Sequence, residues 1–116
     1  MKNLKVILTL GILLMVLFTA CESEDDSGPG ENEIYMENSE YVPQNKIVEV
    51  GTTVKWINKD PFAHTVTSPV GLFESGTIES GGTFEYTFNN TGTFEVICTI
   101  HPNMTGTVTV ENSGSK

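Results

Sequence analysis

Basic residues are scarce in this sequence. Six lysines and arginines stand against fifteen aspartates and glutamates, and the formal net charge is −9. Because no basic cluster is present, we do not expect nucleic acids or anionic lipid headgroups as partners. The acidic excess has two interpretations: it steers the protein to a basic face of a partner protein, or it only keeps a linker extended and soluble.

A helical hydrophobic period is also missing downstream of the N-terminal segments. Short runs instead alternate between apolar and polar residues, most clearly at 83–88, where three aromatic residues alternate with Thr and Glu. The same alternation places Val54 and Trp56 on one face of a strand. Seven or so such runs predict an all-β fold, an antiparallel Greek-key β-sandwich, for the domain at 33–116.

The first twenty residues have the pattern of a targeting segment. Two lysines precede an apolar run at 6–18, which is shorter than the roughly 20 residues of a membrane-spanning helix. Residues 18–21, Phe-Thr-Ala-Cys, then resemble a bacterial lipobox. We therefore expect 1–20 to be a lipoprotein signal peptide and Cys21 to become the acylated N-terminus. The alternative is an ordinary signal peptide, cleaved nearby, in which Cys21 has no role.

The segment after Cys21 is acidic and contains no large apolar residue. It cannot bury enough surface to fold, so residues 21–32 are predicted to be an acidic flexible linker. This arrangement predicts a protein outside the cytoplasm, lipid-anchored to a bacterial membrane on its periplasmic or cell-surface side.

Cys98, His101 and Met104 lie three residues apart in one short segment. A strand cannot aim these three side chains at one point, because successive residues face opposite sides of a sheet, but a turn can. Pro102 fixes its own φ and disfavours helix at His101, which helps to shape such a turn. Each residue alone is more often a packing or surface residue, but the three together predict a metal site.

His64 is the other histidine of the chain. It follows a Pro-containing turn at 58–61 and begins a strand-like stretch, which can bring it to the same end of a sandwich as Cys98. A thiolate, two imidazoles and a thioether suit copper in both of its oxidation states. Coordination would also protect an unpaired Cys98 outside the cytoplasm from oxidation. Zinc is chemically possible, but methionine is a poor zinc ligand.

Residues 98–104, Cys-Thr-Ile-His-Pro-Asn-Met, resemble the ligand loop of the cupredoxins, which are blue type 1 copper proteins. The loop is most similar to the short-loop, amicyanin-like members of the plastocyanin and pseudoazurin branch. Residues 56–66 resemble the upstream ligand segment of the same family, and the whole resemblance covers about residues 33–111. It implies one copper ion, with a ligand set of three strong ligands and one axial ligand: His64, Cys98 and His101, and Met104.

One residue departs from the family pattern. Many cupredoxins have asparagine directly after the upstream histidine, where its side chain ties the two ligand loops together, but this chain has Thr65. A hydroxyl from Thr65 or Thr99 can substitute for that amide.

The resemblance also implies a docking surface and a function. In the family, the second histidine lies in an apolar patch where redox partner proteins dock. By position that patch corresponds here to Pro61, Phe62, Val70 and Pro102. The implied function is single-electron transfer by a monomer, through a copper ion that cycles between Cu(I) and Cu(II).

The same residues are also compatible with two other functions, copper delivery and enzymatic catalysis. Copper binding or delivery without electron transfer would use the same ligands, although the Met- and His-rich tract that would favour delivery is missing. An enzyme could use Cys98 and His101 as a nucleophile pair. The domain is small and offers no orienting carboxylate near this pair, so we do not expect an enzyme.

Overall fold

The described chain is built from short strands. The structure, a computed structural model, describes residues 28–114, and none of these residues lies in a helix. No segment of 28–114 therefore forms a helix with the length and apolar character that crossing a bilayer requires. The predicted signal peptide, Cys21 and most of the predicted linker lie outside the described residues. The strands are β1 (Glu33–Glu37), β2 (Glu40–Val42), β3 (Asn45–Glu49), β4 (Thr52–Asn58), β5 (Thr83–Phe88), β6 (Gly92–Ile97) and β7 (Thr105–Glu111).

The strands form two sheets, with the orders β2-β1-β4-β5 and β3-β7-β6. The predicted all-β sandwich is therefore confirmed. The sheets are mixed, however: β1 runs parallel to β4 and β3 parallel to β7, while the other pairs are antiparallel. Apolar alternation indicates which face of a strand is buried but carries no information on the direction of its neighbour.

The core lies between the sheets and is centred on Trp56, whose side chain is fully buried. Val54 shares its face, as the alternation predicted, and is also fully buried. In β5, Phe88 is buried while Phe84 and Tyr86 are partly buried and pack against the core. The Trp56 ring lies 6.1 Å from the Phe73 ring and 6.4 Å from the Phe88 ring, centroid to centroid. The Phe88 ring also lies 5.4 Å from the ring of Phe94 in β6, and this aromatic contact joins the two sheets.

One end of the sandwich collects the candidate ligands. β4 ends just before the long connection that carries His64, β6 ends at Ile97 next to Cys98, and β7 begins next to Met104. The stretch after His64 forms isolated bridges rather than a strand, pairing His64 with Ile78 and Thr67 with both Glu74 and Ile97. These bridges fix the upstream segment against the ligand loop.

The opposite end collects both ends of the described chain. Glu31, just before β1, and Glu111, at the end of β7, line one groove at this end. β1 is parallel to β4 and so runs toward the candidate ligands, whereas β7 runs away from them. The chain therefore enters and leaves the domain far from the ligand loop.

Gly106 allows β7 to start close to its neighbours. A Cβ atom at this position would lie only 2.7 Å from the Gln44 carbonyl oxygen and would also crowd the Tyr41 ring. A larger residue would therefore push apart the backbone two positions after Met104.

Candidate metal centre

The ligand loop is closed by its own backbone. The Cys98 N–H donates to the Met104 carbonyl at 3.1 Å, and the Met104 N–H donates to the His101 carbonyl at 2.9 Å. The loop is therefore the tight turn that the spacing and Pro102 predicted. Met104 is buried at its end, with 1% of its surface exposed.

Three side chains converge at this end of the sandwich. The Cys98 Sγ atom lies 3.9 Å from His64 Nδ1 and 3.7 Å from His101 Nδ1. The two Nδ1 atoms are 3.2 Å apart. Of the Cys, His, Asp and Glu residues in the described chain, only these three form a cluster that could hold a metal ion. His64 and Cys98 are buried, while His101 is half-buried.

The triangle of donor atoms has the size of a metal site. A point equidistant from Cys98 Sγ, His64 Nδ1 and His101 Nδ1 would lie about 2.1 Å from each atom, which is close to metal–nitrogen and metal–sulfur bond lengths of roughly 2.0–2.3 Å. Two imidazoles and a thiolate in a trigonal arrangement are the strong donors of a blue-copper site. The residues present therefore fit copper in both donor type and spacing.

The environment of Cys98 favours its thiolate form. Burial raises the pKa of the thiol, but the Thr65 N–H, the His101 side chain and the N–H groups of Ile100 and His101 together lower it to about 6. The Thr65 N–H lies 3.4 Å from Sγ. Because the thiolate is the form that binds metals, the folded chain offers a competent ligand at neutral pH.

Thr65 joins the two ligand segments. Its Oγ1 accepts a hydrogen bond from the Thr99 N–H at 2.9 Å, and it lies 3.2 Å from the Thr99 hydroxyl oxygen. Its carbonyl accepts a hydrogen bond from the buried Tyr41 hydroxyl at 2.7 Å. The hydroxyl of Thr65 thus makes the connection that an asparagine amide makes in many cupredoxins.

Asp60, to which the sequence pattern assigned no role, contacts His64 directly. An Asp60 carboxylate oxygen, Oδ2, lies 2.7 Å from His64 Nε2. The same carboxylate accepts hydrogen bonds from the N–H groups of Asn38 at 2.7 Å and Ser39 at 2.9 Å. Burial raises the pKa of Asp60, but these hydrogen bonds and His64 lower it below its usual range.

Asn58 shapes the loop around Asp60 and was also missed. Its side-chain oxygen accepts from the Asp60 N–H at 2.9 Å, and its amide nitrogen donates to the carbonyls of Phe62 and Ile78, each at 2.9 Å. The signal in the sequence was Asn-Lys-Asp-Pro, a composition typical of side-chain-stabilised turns.

The two chain segments beside His101 carry no charged side chain and expose several apolar ones. The Phe62 ring lies 5.7 Å from the His101 ring, and 46% of its surface is exposed. Neither 61–73 nor 98–105 contains an aspartate, glutamate, lysine or arginine. Apolar side chains exposed on these two segments are Phe62, Val70, Leu72 and Ile100.

The comparison with known families agrees with this geometry. The family model described as the cupredoxin-like domain matches residues 10–110. This chain belongs to the cupredoxin-like family. The resemblance read from the two ligand segments is therefore confirmed.

Relatives of this cupredoxin include amicyanins. Amicyanin-alpha of Methylorubrum extorquens is 29% identical over 97 residues, which cover 79% of this chain and 82% of that protein. A solved structure of an oxidised amicyanin variant is 30% identical with a TM-score of 0.65, covering 68% of this chain and 80% of the other. The purple cupredoxin of Nitrosopumilus maritimus is 31% identical with a TM-score of 0.65, covering 68% and 98%.

The prediction that the cofactor is one copper ion is confirmed. Cupredoxins bind one type 1 copper ion, and this cupredoxin brings together a cluster of two histidines and a cysteine that is able to hold it.

Proposed function

We propose that this cupredoxin is a one-electron carrier that holds its copper ion with His64, Cys98 and His101 as strong ligands and Met104 as the axial ligand. The observation that carries the proposal is the donor triangle, with sides of 3.2, 3.7 and 3.9 Å, at the end of a rigid sandwich. Bound copper supplies a one-electron couple between Cu(I) and Cu(II).

The protein's own contribution is to hold the donors still. Cys98 provides a thiolate stabilised by the Thr65 N–H, and Thr65 also binds the backbone of Thr99. Backbone hydrogen bonds between Thr67 and Ile97 lie on the other side of Cys98, so the two ligand segments are joined both before and after the thiolate. A site fixed in this way changes little when the charge of its ion changes, which favours fast electron transfer over catalysis. We propose no enzymatic reaction for it.

We propose that redox partner proteins dock around Phe62 and Pro102, with Pro61 and Val70 at the edge of the contact. His101 is half-buried beside the exposed Phe62 ring, so it is the ligand nearest to a docked partner. The uncharged surface contrasts with the net charge of −9 of the chain. Fitting partners therefore have an apolar contact area with basic residues at its rim.

The proposed location is outside the cytoplasm, through a lipid on Cys21 in a bacterial membrane. The lipobox-like residues 18–21 and the acidic segment that follows them support this proposal. The position of the domain's N-terminal end is also suitable, since Glu31 lies at the end of the sandwich away from the ligand loop. An anchor at Cys21 would leave the His101 surface free for partners.

The test of the metal site is the visible spectrum of residues 22–116 after addition of Cu(II), recorded beside Cys98→Ser. We expect an intense thiolate-to-copper band that the variant lacks. Met104→Leu should keep a charge-transfer band with altered position or intensity, and Met36→Leu, at a buried methionine in β1, should leave the spectrum unchanged. A colourless wild-type protein would rule out the blue-copper assignment.

A second measurement separates electron transfer from copper delivery. The loaded protein is cycled repeatedly between its oxidation states with hexaammineruthenium and ferricyanide, in the presence of a Cu(I) chelator. An electron carrier retains its copper and its band through the cycles. Rapid transfer of Cu(I) to the chelator would favour delivery instead.

A further inference from the structure

Asp60 lies at a junction of three parts of the chain. Asp60 as a whole residue has 5% of its surface exposed. Its carboxylate contacts the His64 ring on one side and the turn between β1 and β2 on the other. Its own backbone N–H is held by the Asn58 side chain. A buried carboxylate that is fixed from three directions is costly to place unless all of its contacts are favourable.

We propose that Asp60 is a positioning residue for the copper site: it fixes the ring of His64 and favours Cu(II) over Cu(I). The proposal rests on the proposed function, because it assumes that His64 binds the copper. Asp60 contacts Nε2 of His64 and not the Nδ1 atom of the donor triangle, so it would act on the copper through His64.

Asp60 determines the orientation of the His64 ring. An ionised carboxylate only accepts hydrogen bonds, and Asp60 also receives two backbone N–H groups, from Asn38 and Ser39. The contact of 2.7 Å with His64 Nε2 therefore requires a proton on Nε2. In a neutral imidazole this assignment leaves the lone pair on Nδ1, the nitrogen that faces Cys98 and His101.

The Asp60 carboxylate is itself held in place by another part of the chain. The turn between β1 and β2 places Asn38 and Ser39 in the left-handed region, with φ of 57° and 58°, and both of their N–H groups point at Asp60. This turn belongs to a different part of the chain from the ligand segments. It prevents the carboxylate from following the His64 ring, so the ring is held against a fixed support.

The negative charge of Asp60 should also affect the two oxidation states of the bound copper differently. Oxidation of the bound ion adds one positive charge to the site. A carboxylate at one ring's distance, shielded from water, stabilises the more positive state by Coulomb attraction and makes His64 a more basic ligand. Removing the charge should therefore weaken Cu(II) binding more than Cu(I) binding and raise the reduction potential.

The test replaces the carboxylate by an amide of the same shape in residues 22–116. For Asp60→Asn we expect the Cu(II) dissociation constant to rise by roughly 10–100-fold, as for loss of other outer partners of ligating histidines. The Cu(I) constant should rise less. Each tenfold difference between the two changes corresponds to an increase of about 59 mV in the reduction potential.

Glu37→Gln is the matched control. It removes an exposed carboxylate at the end of β1, directly before the same turn. Its two dissociation constants should change by less than twofold. Equal losses of Cu(I) and Cu(II) affinity in Asp60→Asn, with an unchanged potential, would overturn the proposal and leave Asp60 with a structural role only.

A measurement on the unmodified protein covers the case in which Asp60→Asn fails to fold. In protein loaded with Zn²⁺ as a diamagnetic probe, the Nε2 proton of His64 should give a slowly exchanging NMR signal, coupled to a nitrogen that does not bind the metal. Metal binding through Nε2 would overturn the proposal. Absence of a thiolate–copper band in the wild-type protein would instead count against the proposed function, so the two failures are distinguishable.

Discussion

The two histidines of the site belong to regions with opposite properties. His64 is fully buried and is held by Asp60, while its neighbour Thr65 is held by Tyr41 and Thr99; we name Asp60, His64 and Thr65 the buried half of the site. His101 is half-buried beside the exposed Phe62, and these two residues form the accessible half. Under the proposed function, the buried half would set the geometry of the site and the accessible half would meet redox partners.

The largest effects should come from removing one imidazole from each half. His64→Gly and His101→Gly should each weaken Cu(II) binding by more than the roughly 10–100-fold seen for loss of an outer partner. Added imidazole should restore the charge-transfer band only in His101→Gly, because only that position is accessible from the surface. His64→Gly also leaves Asp60 without its ring donor, and the loss of this hydrogen bond to a charged group should lower the free energy of unfolding by about 1.5–3 kcal/mol.

Spectral titration with imidazole and urea denaturation of both variants measure these two effects. Equal rescue of His64→Gly and His101→Gly would show that the two halves do not differ in accessibility.

The thiol between the two halves gives a pH-dependent stability. In the folded copper-free protein the pKa of Cys98 is lowered to about 6, against about 8.5 in an unfolded chain. The resulting stabilisation is fully present above about pH 8.5 and is lost as pH falls through about 6, with each unit of pKa difference worth about 1.4 kcal/mol.

Urea denaturation of copper-free wild-type protein and Cys98→Ala across this range tests the sign. The free energy of unfolding of the wild type, relative to the variant, should rise with pH between about 6 and 8.5. A difference that is flat or falls with pH would contradict a stabilised thiolate.

A smaller effect is expected from cutting the link between the ligand segments. Thr65→Val removes the acceptor of the Thr99 N–H; because Thr65 is buried but Thr99 is exposed, this should lower the free energy of unfolding by about 0.5–1.5 kcal/mol. Thr65→Asn, which supplies the residue common in the family, should keep the link. Thr67→Val serves as the control, because the Thr67 hydroxyl contacts only the Thr65 hydroxyl in this network.

Chemical denaturation of the copper-free proteins measures the difference. If Thr65→Val and Thr67→Val have the same effect, the Thr65–Thr99 hydrogen bond is not what joins the segments.

The smallest effect on the site itself should come from the accessible half. Phe62→Asp places a charge beside His101 on the proposed docking surface, so transfer between molecules should slow by roughly tenfold while the visible spectrum stays the same. Electron self-exchange between reduced and oxidised protein, measured by NMR line broadening, reports this rate without a known partner. The control is Ile47→Asp, at an exposed position on β3 that lines the groove at the opposite end. Equal rates for both variants would place the contact elsewhere.

The candidate ligands were easier to predict from the sequence than the contacts that hold them in place. Cys98, His101 and Met104 lie within one turn, so their spacing alone indicated a common centre, and His64 followed because no other histidine was available. The role of Asp60 depends on a turn more than twenty residues earlier in the chain. Local sequence does not encode that contact.

The fold shows the same limit. Alternation identified the buried faces of β4 and β5, but the parallel pairing of β1 with β4 and of β3 with β7 depends on how distant segments return to a sheet. Thr65 lies between these cases: the family pattern pointed to its position, and the structure was needed to show that a hydroxyl reaches the Thr99 N–H.

The shared location of Glu31 and Glu111 at the end of the sandwich away from the ligands has a practical consequence. A gold-binding peptide or a fusion protein can be attached just before Glu31 or just after Glu111 without covering His101. If such molecules were attached to an electrode through this end, Phe62 would face the solution and not the electrode surface. Electrons passing between the electrode and the copper would then have to cross the length of the sandwich. Molecules attached in this way would therefore exchange electrons more readily with a dissolved partner protein than with the electrode.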